Sequence, residues 1–185
     1  MSRFAGEFEA VVFDLDGTLV ELAVDWARVH RDVAALLADR GVEVDGHDLW
    51  GLWELGKEVG HAAAVNECIA DHETAGARTS TRLACADAVP EAPVGVCTLN
   101  AERAAHEALS THDLTHRIVS EAVVGRDSVA TEKPDPEPLL ATCRALGVAP
   151  EEAVFVGDGE RDEVTAERAG VPFRYVSEWP PSPSD

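Results

Sequence analysis

The sequence predicts an α/β fold: a parallel sheet with helices on both faces, joined to a small α-helical insertion. Three observations predict it. Short apolar runs alternate with helical patterns from residue 92 onward, the order of a parallel sheet covered on both sides. Another strand signal, Ala10 to Phe13, stands alone near the start. Between them, residues 21–90 carry helical periodicity and no strong strand signal. The expected division is therefore residues 1–20 with 91–185 for the sheet domain and 21–90 for the helical insertion.

The elements follow in order. EAVVFDLDG opens with the apolar run Ala10 to Phe13 and reaches Asp14, Leu15, Asp16 and Gly17, which reads as a buried strand ending in a turn. Trp26, Val29, Val33, Leu36, Leu37 and Arg40 then follow helical spacing. HDLWGLWELGKEVG and HAAAVNECIADHETAG read as two more helices. The second strand is APVGVCTL, residues 92–99. Asn100 can cap a helix over AERAAHEALSTH, whose Ala101, Ala104, Ala105, Ala108 and Leu109 share one face. A third strand falls in RIVSEAVVG, residues 117–125. Asp135 can cap the next helix, with Pro136 in its first position. Leu139, Leu140, Cys143 and Leu146 give that helix its apolar face, and Gly147 ends it. A fourth strand at 152–157 leads to a helix at 160–169 that stops at Gly170. PFRYVSEW supplies a fifth strand, residues 172–178, and EWPPSPSD reads as a frayed tail.

Composition bounds the function. At 185 residues and 45% hydrophobic content, the chain is long and apolar enough for one globular domain with an insertion. The formal charge of −20 argues against nucleic acid and anionic membranes as partners, because the long-range field repels both. The acids are spread along the chain, and lysine is scarce. That pattern suggests adaptation to high salt; an ordinary acidic protein is the blander reading. No apolar run reaches membrane-spanning length, and MSRFAGEFEA lacks the apolar run of a secretory signal, so a cytoplasmic protein is expected, as monomer or homodimer. Cys68, Cys85, Cys97 and Cys143 form no CxxC pair and read as small buried hydrophobes.

The chemistry gathers at strand ends. In an open parallel sheet, ligands bind beyond the carboxyl ends of the strands. Asp14, Asp16, Gly17 and Thr18 follow the first strand; Thr98 and Asn100 follow the second. Lys133 lies in the loop after the third, and Gly157, Asp158, Gly159 and Asp162 follow the fourth. Each group alone reads as a turn or a helix cap, but their joint occurrence in order does not. Carboxylates at close quarters call for a cation, and oxygen-only ligands point to a hard metal, with Mg²⁺ the leading candidate. Lys133 carries a compositional argument of its own. The chain has thirteen arginines and only two lysines, the other being Lys57. A lysine retained here fits a narrow place that needs a compact point charge with rotatable donors, not a planar fork.

These residues resemble the haloacid dehalogenase superfamily, mostly Mg²⁺-dependent phosphatases. DLDGT at 14–18 matches the DxDGT signature, the strand ending in Thr98 the second motif, KPDPEPLLATCRALG from Lys133 the lysine motif, and VGDGERDEVTAERAG the GDxxxD motif. The resemblance implies a Rossmann-like core with residues 21–90 as its helical cap. It implies Asp14 as nucleophile, attacking a phosphoryl group to give an aspartyl phosphate. Asp16 would protonate the leaving alcohol and later deprotonate water, while Gly17 allows the tight turn and Thr18 steadies it. Asp14, the main-chain carbonyl of Asp16, Asp158 and, directly or through water, Asp162 would hold Mg²⁺. Thr98, Lys133 and the backbone N–H groups of Leu15, Asp16 and Leu99 would bind phosphate.

Departures from the family pattern are Gly159, where serine or threonine is common, and Thr98-Leu99-Asn100 in place of a TN pair. Asn100 is accordingly read as a helix cap rather than a substrate contact. The segment leading to the second strand, around EAPVG, is abbreviated. In the cap, Arg28, His30, Arg31, Trp50, Trp53, Lys57, His61 and Asn66 are candidates for substrate contact, though packing or surface roles are the ordinary alternative. Trp26 and Trp53 are expected in the core. Arg126 and Arg161 could bind an acidic substrate, Arg161 being the better placed.

The small cap favours a small phosphorylated metabolite, as for phosphoglycolate phosphatases. A phosphotransferase or phosphomutase would use the same Asp14 and Asp16. A dehalogenase fits less well, since it lacks the second aspartate and needs no Mg²⁺. A receiver-like signalling protein would lack DxDGT and GDxxxD, and an inactive scaffold would not keep every catalytic group.

Overall fold

A computed structural model of the chain describes residues 8–180. Five strands form one parallel sheet in the order β5-β4-β1-β6-β7, where β1 is Ala10–Phe13, β4 Val94–Cys97, β5 Val123–Val124, β6 Ala153–Gly157 and β7 Phe173–Tyr175. β1 lies at the centre because both of its faces are apolar. Val11 and Phe13 enter one cluster with Ala105, Ala108 and Leu109 of α4, Glu102–Thr111. Ala10 and Val12 enter another with Leu139 and Cys143 of α5, Glu137–Leu146, and Ala166 and Ala169 of α6, Glu160–Ala169. A strand buried on both sides reads as a continuous apolar run, which is why AVVF was legible.

Residues 21–90 supply three helices with a cluster of their own. α1 is Trp26–Ala38, α2 Leu49–Glu58 and α3 Ala62–Ala77. Val29, Val33 and Leu37 of α1 meet Leu52 and Trp53 of α2 and Val65 and Ile69 of α3. Asp25 and Asp48 cap the first two by accepting the amides of Arg28 and Gly51.

Several boundaries differ from expectation. The predicted third strand pairs only at Val123–Val124, because 3₁₀ turns at Thr115–Arg117 and Ser120–Ala122 carry the chain across the sheet edge. The predicted fifth strand ends at Tyr175 in a further 3₁₀ turn. The insertion is not wholly helical at its ends: β2, Val20–Glu21, pairs antiparallel with β3, Thr81–Arg82. This two-residue ribbon ties the chain entering the helices to the chain leaving them. Asn100 is not a helix cap; α4 starts one residue later, with Ala101 at the cap position and no capping side chain of its own. α5 likewise starts one residue later than expected, with Pro136 at the cap position; Asp135 stands just before it and accepts the Glu137 amide at 2.9 Å. The four cysteines are free thiols, three of them buried. The EWPPSPSD tail lies mostly outside the described residues. Among the described residues, no helix is long and apolar enough to cross a membrane.

Candidate active site

The carboxyl ends of β1, β4 and β6 open on one cleft of about 290 Å³. Asp14, Asp16, Thr98, Leu99, Asn100, Lys133, Asp158, Gly159, Arg161 and Asp162 line it from the sheet side, and Trp26, Trp50 and Glu73 from the helices of the insertion. Every carboxylate the sequence singled out is thus at one edge.

Lys133 is the hub. Its Nζ donates to Asp14 Oδ1 at 2.8 Å, to Asp162 Oδ1 at 2.5 Å and to the Cys97 carbonyl at 3.3 Å. Burial pulls against its charge, but the attraction of Asp14 and Asp162 prevails and raises its pKa. Asp14, Asp158 and Asp162 offer oxygens that all lie within 4.8 Å of one another. Burial pushes the Asp14 carboxyl up to about 7, against the pull of Lys133 and with Asp162 adding to the rise. One ammonium therefore does not balance three carboxylates. A hard cation on these oxygens would supply the missing charge, so the donor set fits a divalent metal of the Mg²⁺ kind.

The DLDGT turn is built around this cluster. Gly17 has φ +84°, and a Cβ there would stand 2.2 Å from Asp158 Oδ2. A Cβ on Gly157 would meet Asp162 Oδ2 at 2.5 Å. Gly17 thus lets Asp158 close on the turn, and Gly157 lets Asp162 close on the end of β6. Asp16 is half-buried; its Oδ1 accepts the Leu22 amide at 2.8 Å, and burial raises its pKa. Burial likewise raises Asp158, with Asp162 second. Thr18 is fully buried, and its hydroxyl has no hydrogen-bond partner among the described residues.

The second motif is tied to the insertion. Thr98 Oγ1 donates to Asn100 Oδ1 at 2.9 Å and accepts the Asn100 amide at 3.2 Å. Asn100 Nδ2 donates to Glu73 Oε1 at 3.2 Å, and the Ala101 amide to Glu73 Oε2 at 3.0 Å. Glu73 of α3 therefore caps α4 from another element. Arg126 meets Glu73 with both terminal nitrogens, at 2.9 and 3.0 Å, and donates to the Leu99 carbonyl at 2.7 Å. Arg126 is thereby engaged by protein groups and does not line the cleft.

The insertion's candidates sort clearly. Trp50 lines the cleft; Arg28, His30, Arg31, Lys57, His61 and Asn66 do not. Arg28 pairs with Asp32, His30 meets the His47 carbonyl, and Lys57 pairs with Glu54 and Glu132. Trp53 is a core residue, as expected, and its Nε1 donates to Asn66 Oδ1. Trp26 is not in the core: it is 42% exposed at the start of α1 and faces the cleft. Glu73 was missed in the sequence, where a lone acid at mid-helix carries no signal.

Comparison with known proteins agrees with this geometry. A model of the haloacid dehalogenase-like hydrolase family matches residues 8–170. A phosphoglycolate phosphatase of Cereibacter sphaeroides is 33% identical over 196 residues, covering 91% of this chain and 84% of that protein. One of Chromobacterium violaceum is 30% identical over 192 residues, covering 88% and 82%. Among solved structures, CbbY from Rhodobacter sphaeroides in complex with phosphate superposes with a TM-score of 0.63 at 21% identity, covering 91% of this chain and 85% of that one.

Proposed function

The chain belongs to the haloacid dehalogenase-like hydrolase family, as a phosphatase resembling the phosphoglycolate phosphatases, and from that premise we propose that it hydrolyses a small phosphomonoester through an aspartyl phosphate on Asp14, with Mg²⁺ as cofactor and a phosphoglycolate-like ester as substrate. The observation that carries this reading is the meeting of Asp14, Asp158, Asp162 and Lys133 at one sheet edge.

Asp14 attacks phosphorus, the P–O bond to the alcohol breaks, and Asp16 gives the leaving oxygen a proton. Its raised pKa suits a proton donor. Asp16 then takes a proton from the water that opens the acyl phosphate and frees Asp14. Thr98 turns its hydroxyl from Asn100 Oδ1 to a phosphate oxygen, and Lys133 neutralises charge between Asp14 and the phosphoryl group. The backbone N–H groups of Leu15, Asp16 and Leu99 supply further donors. Asp14, the Asp16 carbonyl, Asp158 and Asp162 would hold the metal, which when bound offsets repulsion between nucleophile and dianionic ester. Residues 21–90 act as the cap over a core of 1–20 and 91–185. Trp26 and Trp50 support this by walling the cleft, whose 290 Å³ suits a small ester.

Phosphate release from a panel of small phosphomonoesters, with and without Mg²⁺, tests the reading. Turnover is expected to need Mg²⁺ and to fall by at least a thousandfold in Asp14→Asn. Metal-independent turnover, or turnover that survives Asp14→Asn, would overturn it.

A further inference from the structure

Almost every cation in the described part of the chain is engaged. Lys133 and Arg126 are buried in ion pairs. Lys57, Arg28, Arg78, Arg82, Arg103 and Arg144 pair with carboxylates at the surface. Arg40, Arg117 and Arg168 donate to backbone carbonyls. The side chain of Arg161 makes neither kind of contact, although the chain holds 35 acidic residues against 15 basic ones. Arg31 shares this state, but it stands exposed on α1 and lines neither the cleft nor the recess beside it.

Arg161 sits in the first turn of α6, between the metal-type ligands Asp158 and Asp162, and lines the catalytic cleft. Its guanidinium carbon lies 5.9 Å from the ring centroid of Trp50 on α2. An aromatic face supports a guanidinium without using its N–H fork. Trp50 is itself 45% exposed, and two of the three exposed large hydrophobics among the described residues, Trp26 and Trp50, wall this cleft. Arg161 and Trp50 also line an adjoining recess of about 200 Å³. The unused donors therefore face space next to the reacting centre.

We infer that Arg161, backed by Trp50, is a specificity-determining residue that binds a second anionic group on the substrate. The preferred substrates are then small phosphomonoesters whose alcohol part carries another negative charge, either a carboxylate or a second phosphate. The inference rests on the phosphatase reading above and sharpens it. The division of labour follows from position: Lys133 and the metal-type carboxylates serve the transferring phosphoryl group, and Arg161 serves the far end of the molecule. A chain of charge −20 repels such a polyanion from a distance, so a local cation at the cleft has a task that the overall field does not perform.

The test compares kcat/KM for phosphoglycolate, ethyl phosphate and propane-1,3-diol bisphosphate in wild type, Arg161→Gln and Arg161→Lys, with thermal unfolding to confirm folding. The wild type should prefer the esters with a second charge. Arg161→Gln should lower that preference about tenfold, which corresponds to about 1.4 kcal/mol. The loss should fall chiefly on KM, and Arg161→Lys should recover part of it. Whichever ester loses more, phosphoglycolate or the bisphosphate, identifies the second anion. An equal loss on all three esters in Arg161→Gln, or an unchanged preference, would overturn the inference, whereas Asp14-dependent turnover by the wild type would leave the phosphatase reading standing. Failure of the wild type to turn over any of the three would overturn the phosphatase reading and this inference with it.

Discussion

Gly17 and Gly159 both belong to loops at the candidate active-site cleft, but they carry opposite constraints. Gly17 has φ +84°, and a methyl group there would collide with Asp158 Oδ2. Gly159 has extended backbone, and a Cβ would meet nothing within 4 Å. Gly17→Ala should therefore cost about 1–3 kcal/mol of stability from backbone strain. It should also cut kcat/KM at least tenfold by displacing a metal-type ligand. Gly159→Ser, which restores the commoner family residue, should leave both nearly unchanged. Urea unfolding beside steady-state kinetics checks the pair; a harmless Gly17→Ala would mean that Asp158 can move without consequence. Legibility at this scale followed the same division. The meeting of Asp14, Asp16, Lys133, Asp158 and Asp162 at one cleft was readable because each follows a strand in the sequence, and a parallel sheet brings such positions to one edge. Asn100 was misread because its partner, Glu73, lies 27 residues away in sequence and on another element. Trp26 was misread because helical periodicity places it on the apolar stripe, whereas its position in the first turn of α1 swings it over the cleft.

At the scale of elements, α3 is the link between the insertion and the sheet domain. Its Glu73 is buried, and it answers both Arg126 and the amide at the start of α4. At the surface, Arg103 of α4 reaches Glu67 and Asp71 of α3, and Arg78 reaches Glu107. Such exposed pairs contribute little individually, up to about 1 kcal/mol. The buried pair behaves differently, because removing one partner leaves the other charge buried without compensation. Glu73→Ala should destabilise the protein by about 3–5 kcal/mol. Adding Arg126→Leu should recover part of that loss, since the stranded guanidinium disappears. A double variant less stable than Glu73→Ala would show that Arg126 has a stabilising role apart from Glu73. The network also explains which elements the sequence revealed. Strands with both faces buried, and helices with one apolar stripe, announce themselves locally. The two-residue strands β2 and β3 do not, because pairing with a distant partner, not local pattern, makes them strands.

The whole molecule carries a formal charge of −20, and the response of its stability to salt depends on which of two opposed effects is larger. Screening weakens the exposed ion pairs, which would lower stability. It also weakens repulsion among the acids, which would raise it. The inventory decides the sign. With 35 acidic residues against 15 basic ones, negative charges outnumber positive ones by twenty even if every base is paired. Two of the strongest pairs, Glu73 with Arg126 and Lys133 with Asp14 and Asp162, are buried and little affected by salt. Repulsion is therefore the larger salt-sensitive quantity. As KCl rises from 0.1 to 1 M the Debye length shrinks from about 10 Å to about 3 Å, and neighbouring surface acids cease to sense one another. The thermal midpoint should climb steadily over that range, each kcal/mol gained appearing as about 2–4 °C for a chain of this size. Differential scanning calorimetry across a KCl series, with sucrose of matched osmolality as the uncharged comparison, separates screening from solvent exclusion. A midpoint that falls with KCl would mean that the surface pairs around α3 and α4 outweigh the excess acids. Glu73→Ala should keep the same salt slope at a lower midpoint, because the charge it removes is buried.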